Sequence, residues 1–214
     1  MAADQIVFLT NLEGDPCALA VSYLGGSSCE VARNLDDLFE SKATRLVSFG
    51  TSVIVPSLIL ENFVNGAFNF HSASPDFPGR DPHNWAVYEG VARYGATLHK
   101  MTPRVDDGQI IDVEWFDVEV NTSPRRLLLA ANEASFRLLQ KFGPLLSQGL
   151  DLEPRLEFCW GGKKRGRRDL LAICRIDSSI SEEEFVRRLQ AFNSDDYNNL
   201  HIGLHGKVFR IEPH

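Results

Sequence analysis

From Gln5 to Leu146, short apolar runs rich in strand formers alternate with segments of helical length. "QIVFLT" (Gln5 to Thr10) is soon followed by Asn, Gly, Asp and Pro, and reads as a buried first strand. Ala18 to Tyr23 reads as a short helix ending at Gly25-Gly26, and "NLDDLFESK" as another with Asn34 as its N-cap. "TRLVSFG" is a second buried strand, "PSLILENF" a helix entered through Pro56, and "GAFNFH" a third strand. "WAVYEGVARYG" is helical, because Trp85, Val87, Tyr88 and Val91 share a face. "ATLHKM" and the longer "QIIDVEWFDVEV" are strands, and Ser123 to Leu146 is a helix starting near Pro124. Such alternation predicts an α/β fold built on a Rossmann-like, mostly parallel sheet. Ligands of such sheets bind at the carboxyl ends of the strands.

The pattern changes after Pro154. "LEFCW" and "LLAICRI" read as short strands around a basic loop, "SEEEFVRRLQAF" as a helix with a Ser181–Glu184 capping box, and "LHIGLHGKVFRI" as a hairpin. The expected division is an α/β domain over residues 1–150 and a small α+β subdomain over residues 151–214. A chain of 214 residues can bury such a core without covalent staples.

The net charge of -7 argues against general nucleic-acid binding, which needs a basic face. "KKRGRR" (Lys163 to Arg168) runs against that average and reads as a solvated loop or a local site for one anionic group. The four cysteines have no CxxC spacing, so neither a zinc site nor a redox motif is indicated. They are expected to be reduced thiols in a cytoplasmic protein. No apolar run approaches the length of a membrane span, and the start "MAADQIVFLT" lacks a basic signal-peptide head. His201 and His205 fall in the hairpin, where i and i+4 lie about 13 Å apart, so no metal site is expected.

Three pieces converge on the loop ends of this sheet: Asn69-x-His71, "GATLHKM" (Gly95 to Met101) and the D-x-G turn of "VDDGQII" (Val105 to Ile111). An amide can donate to a developing oxyanion, and an imidazole can donate to the same oxygen or move a proton. A carboxylate can fix the imidazole. The set suits acyl transfer without a covalent intermediate. On residues alone, Asn69 and His71 also read as turn or capping residues, and the D-x-G as a plain turn. His99 reads as packing or hydrogen-bonding inside the sheet, and Trp85 as a helix-face anchor.

"NFHSASPDFPG", "WAVYEG", "YGATLHKM" and "VDDGQII", in this order and spacing, resemble the folate-dependent formyltransferases over Ala43 to Leu146. The resemblance implies a catalytic trio of Asn69, His71 and Asp106, with Asp106 chosen over Asp107 as the aspartate of the D-x-G turn. It implies 10-formyltetrahydrofolate as cosubstrate, with its pterin held by Ser52, Val53, Ile54 and Val55 and by Thr102, Val105 and Asp107. No metal is implied. The tail resembles the short tails of nucleotide-sugar N-formyltransferases, which points to a small-molecule amine acceptor, first a nucleotide-linked amino sugar. Lys163, Lys164 and Arg165 would then reach its phosphates. A homodimer is compatible with this reading; a membrane or nucleic-acid partner is not expected.

The chain departs from the family in three places. Asn69 comes some tens of residues early, as if a strand–helix unit were missing or reduced. "TNLEGDPC" stands where glycinamide ribonucleotide enzymes have a glycine-rich phosphate loop, and "SASP" replaces Leu-Leu-Pro after the histidine. Alternatives are a hydroxyornithine-like amine or methionyl-tRNA as acceptor, hydrolysis of formyltetrahydrofolate, and a degenerate fold used as a binding module.

Overall fold

The computed structural model describes residues 5–194 and 197–212. The start read above as lacking a leader falls partly on residues 1–4, outside the described residues. The chain begins β1 (Ile6–Leu9), α1 (Gly14–Tyr23), β2 (Cys29–Ala32), α2 (Leu35–Glu40), β3 (Arg45–Phe49), α3 (Ser57–Leu60) and β4 (Ala67–His71). It continues α4 (Pro82–Glu89), β5 (Arg93–Lys100), β6 (Ile110–Asp117) and α5 (Pro124–Ser147). The strands form one sheet in the order β2-β1-β3-β4-β5-β6. β1, β2, β3 and β4 pair in parallel, whereas β4–β5 and β5–β6 are antiparallel.

β2 is a strand that the sequence reading left out. Its pattern explains this: only Ala32 is buried, so it carries none of the continuous apolar run that marks β1 and β3. It lies at the sheet edge beside β1, where one side of its backbone has no strand neighbour. With β2 and α2 in place, a strand–helix unit stands between β1 and β3.

Two layers cover the sheet. Phe8, Val47, Phe68, Phe70 and Leu98 pack against Ala134, Leu138 and Leu139 of α5 on one side. α5 is long because apolar residues recur at helical spacing from Leu127 to Leu146, and Ser123 caps it by accepting the Arg126 N–H. On the other side, Val7, Leu9 and Leu46 pack with Leu38, Val55 and Ile59.

The C-terminal part contains α6 (Arg167–Cys174), β7 (Arg175–Ile176), α7 (Glu182–Phe192), β8 (His201–Leu204) and β9 (Lys207–Arg210). "LLAICRI" is therefore mostly helix, with only its last two residues in β7. Asp169 explains the difference: its carboxylate accepts the Gly166 N–H and anchors the first helical turn, so the apolar run that follows stays helical. "LEFCW" forms no strand. Just before it, the Arg155 N–H donates to Ile110 O of β6 at 2.9 Å, and within it the Phe158 N–H turns back to Arg155 O at 3.1 Å. The hairpin stands as expected. Half of the expected capping box is present: Ser181 Oγ accepts from Glu184 N–H, but the Glu184 carboxylate accepts from Tyr88, Arg187 and Arg188.

This part shares its core with the first. Trp85 of α4 meets Phe192 of α7 edge to face at 5.0 Å, and Asn84 Nδ2 donates to Ala191 O at 2.7 Å. Cys17, Cys29, Cys159 and Cys174 are all free thiols. Among the described residues, no helix is long and apolar enough to cross a membrane.

Candidate active site

The register of the central strands puts the site on one face of the sheet. Ser48 pairs with Asn69, and Asn69 with His99, so these three form a row across β3, β4 and β5. His71 lies two residues beyond Asn69 and so points to the same face, while Phe68 and Phe70 point into the core under α5. Asn69 thus sits within β4 rather than at its end, and His71 is the last strand residue. The loop after β3 and the turn between β5 and β6 enclose a cleft of ≈ 490 Å3 over this face. Asn69, His71, His99 and Asp106 line it.

Asp106 is almost fully buried and adopts φ of 47°, a left-handed conformation that aspartate tolerates better than most side chains. Its Oδ2 accepts the Gly79 N–H at 2.8 Å. Its Oδ1 faces two imidazoles, at 3.8 Å from His71 Nδ1 and 3.9 Å from His99 Nε2. Asp107 points outward and lies 4.0 Å from Arg104. His71 Nε2 is buried and makes no hydrogen bond among the described residues.

His99 is held neutral. Burial pushes its pKa down to about 4, helped by His71, while Asp106 and the Lys100 carbonyl oppose the shift. Its Nδ1 lies 2.9 Å from Lys100 O, which can only accept, so the ring proton is on Nδ1. Nε2 is then an acceptor, and Asn69 must present its amide NH2 to it at 3.1 Å. One N–H of Asn69 is fixed by His99, and the other has no partner among the described residues.

The expected donor residues divide. Ser52, Val53, Ile54, Val55, Thr102 and Val105 line the cleft. Ile54 and Val105 are largely exposed apolar side chains there, and Val55 is buried beneath. Asp107, expected with them, does not line it. Of the basic cluster, Lys164 and Arg165 reach the cleft, joined by Arg167. Lys163 instead pairs with Asp169 at 2.6 Å, beside a separate pocket next to Trp85. Arg165 lies 4.1 Å over the Trp85 ring and 2.5 Å from Glu89.

Sequence reasoning set aside His99 and missed Trp160. Trp160 stands edge-on to His99 at 4.9 Å, and its Nε1 donates to Gly108 O at 2.7 Å. His99 hydrogen-bonds inside the sheet as expected, but its place opposite Asn69 is set by the β4–β5 register, which neither segment reveals alone. Trp160 lies far along the chain and carried no local signal. Among the described residues no group of three or more His, Cys, Asp or Glu side chains is placed to hold a metal.

Residues 23–140 match the family model described as "Formyl transferase". The chain belongs to the formyl transferase family. It is 31% identical over 113 residues to the bifunctional polymyxin resistance protein ArnA of Wigglesworthia glossinidia brevipalpis, covering 52% of this chain and 17% of that protein. It is 34% identical over 110 residues to the methionyl-tRNA formyltransferase of Bacillus cereus (strain B4264), covering 51% of this chain and 35% of that protein. The matched segment is thus a minor part of either relative. Among solved structures, the chain superposes on a sugar N-formyltransferase from Shewanella sp. with a TM-score of 0.73 at 16% identity, covering 97% of this chain and 96% of that one. An N-formyltransferase from Helicobacter canadensis, complexed with folinic acid and dTDP-3-aminofucose, gives a TM-score of 0.70 at 15% identity, covering 95% and 85%. These two show that the α/β fold extends over the C-terminal part, beyond the residues matched by the family model.

Proposed function

We propose that the protein transfers a formyl group from 10-formyltetrahydrofolate to a primary amine, first that of a nucleotide-linked amino sugar. The observation that carries this reading is the gathering of Asn69, His71 and Asp106 at one cleft, with His71 Nε2 buried and unpartnered. Family membership supports the reaction class. The Helicobacter canadensis enzyme, which binds a folate and an amino-sugar nucleotide on the same fold, supports the substrate class.

In this mechanism the acceptor amine attacks the formyl carbon, and the carbonyl oxygen becomes an oxyanion. The free N–H of Asn69 and protonated Nε2 of His71 donate to that oxygen. The amine loses a proton as the C–N bond forms, and the folate nitrogen gains one as its bond to the formyl carbon breaks. Asp106 holds the imidazolium of His71 and relays this proton through water. The pterin lies against Ser52, Val53, Ile54 and Val55 and the turn carrying Thr102 and Val105. Lys164, Arg165 and Arg167 form a basic rim for acceptor phosphates, with Lys163 behind it.

The test is incubation with formyl donor and a panel of nucleotide-linked amino sugars, read as a mass gain of one formyl group. Donor deformylated at the same rate without any amine would make the protein a hydrolase. Donor binding without turnover would make it a binding module.

A further inference from the structure

The turn that carries Asp106 is held from outside the sheet by a strap, residues 160–165. Trp160 Nε1 donates to Gly108 O at 2.7 Å, two residues after Asp106, and Lys164 Nζ donates to Val105 O, immediately before it. The strap also holds the loop that binds the carboxylate. Arg165 N–H donates to Pro78 O at 3.2 Å and Arg80 N–H to Arg165 O at 2.8 Å. Between them lies Gly79, whose N–H holds Asp106 Oδ2. Gly79 leaves no room for a side chain beside the strap, since a Cβ there would fall 2.3 Å from Arg165 O; at Gly108 a Cβ would fall 1.7 Å from Lys100 O of β5, so the turn is seated on that strand. The indole of Trp160 also stands 6.1 Å from the His71 ring and 4.9 Å from the His99 ring. None of these strap residues lies within the segment matched by the family model.

We infer that Trp160 is a positioning residue which, with Lys164, clamps the turn on both sides of Asp106 and fixes its carboxylate against His71. The inference rests on the formyl-transfer reading for the role of that pair. Asp106 Oδ1 and His71 Nδ1 are 3.8 Å apart, beyond hydrogen-bond reach, so a small shift of the turn decides whether the carboxylate holds the imidazolium. The left-handed Asp106 backbone is costly and persists only where its surroundings hold it. The Trp160 ring also packs edge-on against the buried His99. The groups facing His99 are Asn69 and His71 from β4, Asp106 from the turn, the Lys100 carbonyl and Lys164 from the strap.

The test compares Trp160→Phe, Lys164→Met and the double variant in the full chain. Each single change lowers kcat about tenfold; donor KM stays within about twofold in both, and acceptor KM does so in Trp160→Phe, whereas Lys164→Met also raises it because Lys164 lies on the basic rim. The double falls short of the product of the two, because both bonds hold one turn. Unchanged kcat in both single variants overturns the clamp. So does a raised acceptor KM at constant kcat, which would make the strap only a binding surface. Two readouts do not need activity: the NMR titration of His99 and the hydrogen exchange of the Gly79 amide. In Trp160→Leu the His99 pKa rises toward its ordinary value and Gly79 exchanges faster. If the wild-type protein transfers no formyl group to any amine, the functional reading fails, and these two readouts still decide the clamp. Both unchanged overturn it.

Discussion

At the residue scale, the site depends on which atom donates to which. Asn69 has one N–H fixed by His99 and one free. Asn69→Ala should lower turnover by about 10²–10³ through loss of an oxyanion donor, with little change in melting temperature. Turnover near wild type would remove Asn69 from the chemistry. The two adjacent acids separate as cleanly. Asp106 is buried against two imidazoles, whereas Asp107 faces solvent. Asp106→Asn should nearly abolish transfer, because an amide cannot support an imidazolium, and Asp107→Asn should be mild. Steady-state kinetics on the pair check this, and a reversed result would move the catalytic carboxylate by one residue.

At the element scale, α4 joins the two parts of the chain. Trp85 packs on Phe192 of α7 and supports the Arg165 guanidinium of the strap. Trp85→Ala should therefore cost about 3–5 kcal/mol of stability. It should also lower formyl transfer, although Trp85 does not line the cleft. Denaturant unfolding and kinetics together check this. A stability loss with unaltered kcat would mean that α4 supports the fold but not the strap. The ion-pair group on the same contact is structural. Tyr88, Arg187 and Arg188 surround Glu184, and their hydrogen bonds, against the cost of burial, hold its carboxyl at about 2.

At the scale of the whole molecule, two buried imidazoles link stability to acid. Burial lowers the pKa of His83 to about 3 and of His99 to about 4, from an ordinary 6.5. As pH falls below 6.5 the unfolded chain takes up protons that the native state refuses. Stability is therefore full above that value and declines toward pH 4, where His99 protonates in the native state too. Melting temperatures measured from pH 7.5 down to about 4 should fall steadily; a flat profile would mean that both rings are solvated. The sequence by itself determined the α/β layout, the long helix and the hairpin, because their signals are local: apolar runs, capping residues and turn residues. Asn69, His71 and Asp106 were singled out by the resemblance of their motifs to a known family. The sequence could not show β2, whose edge position needs no apolar run, nor the helix in "LLAICRI", where a carboxylate anchors the first turn. Only the tertiary structure decided that His99 faces Asn69, because strand register is a relation between segments 30 residues apart. Only it placed Trp160 on the far side of Asp106, since the hydrogen bond to Gly108 spans 52 residues and leaves no periodicity in the chain.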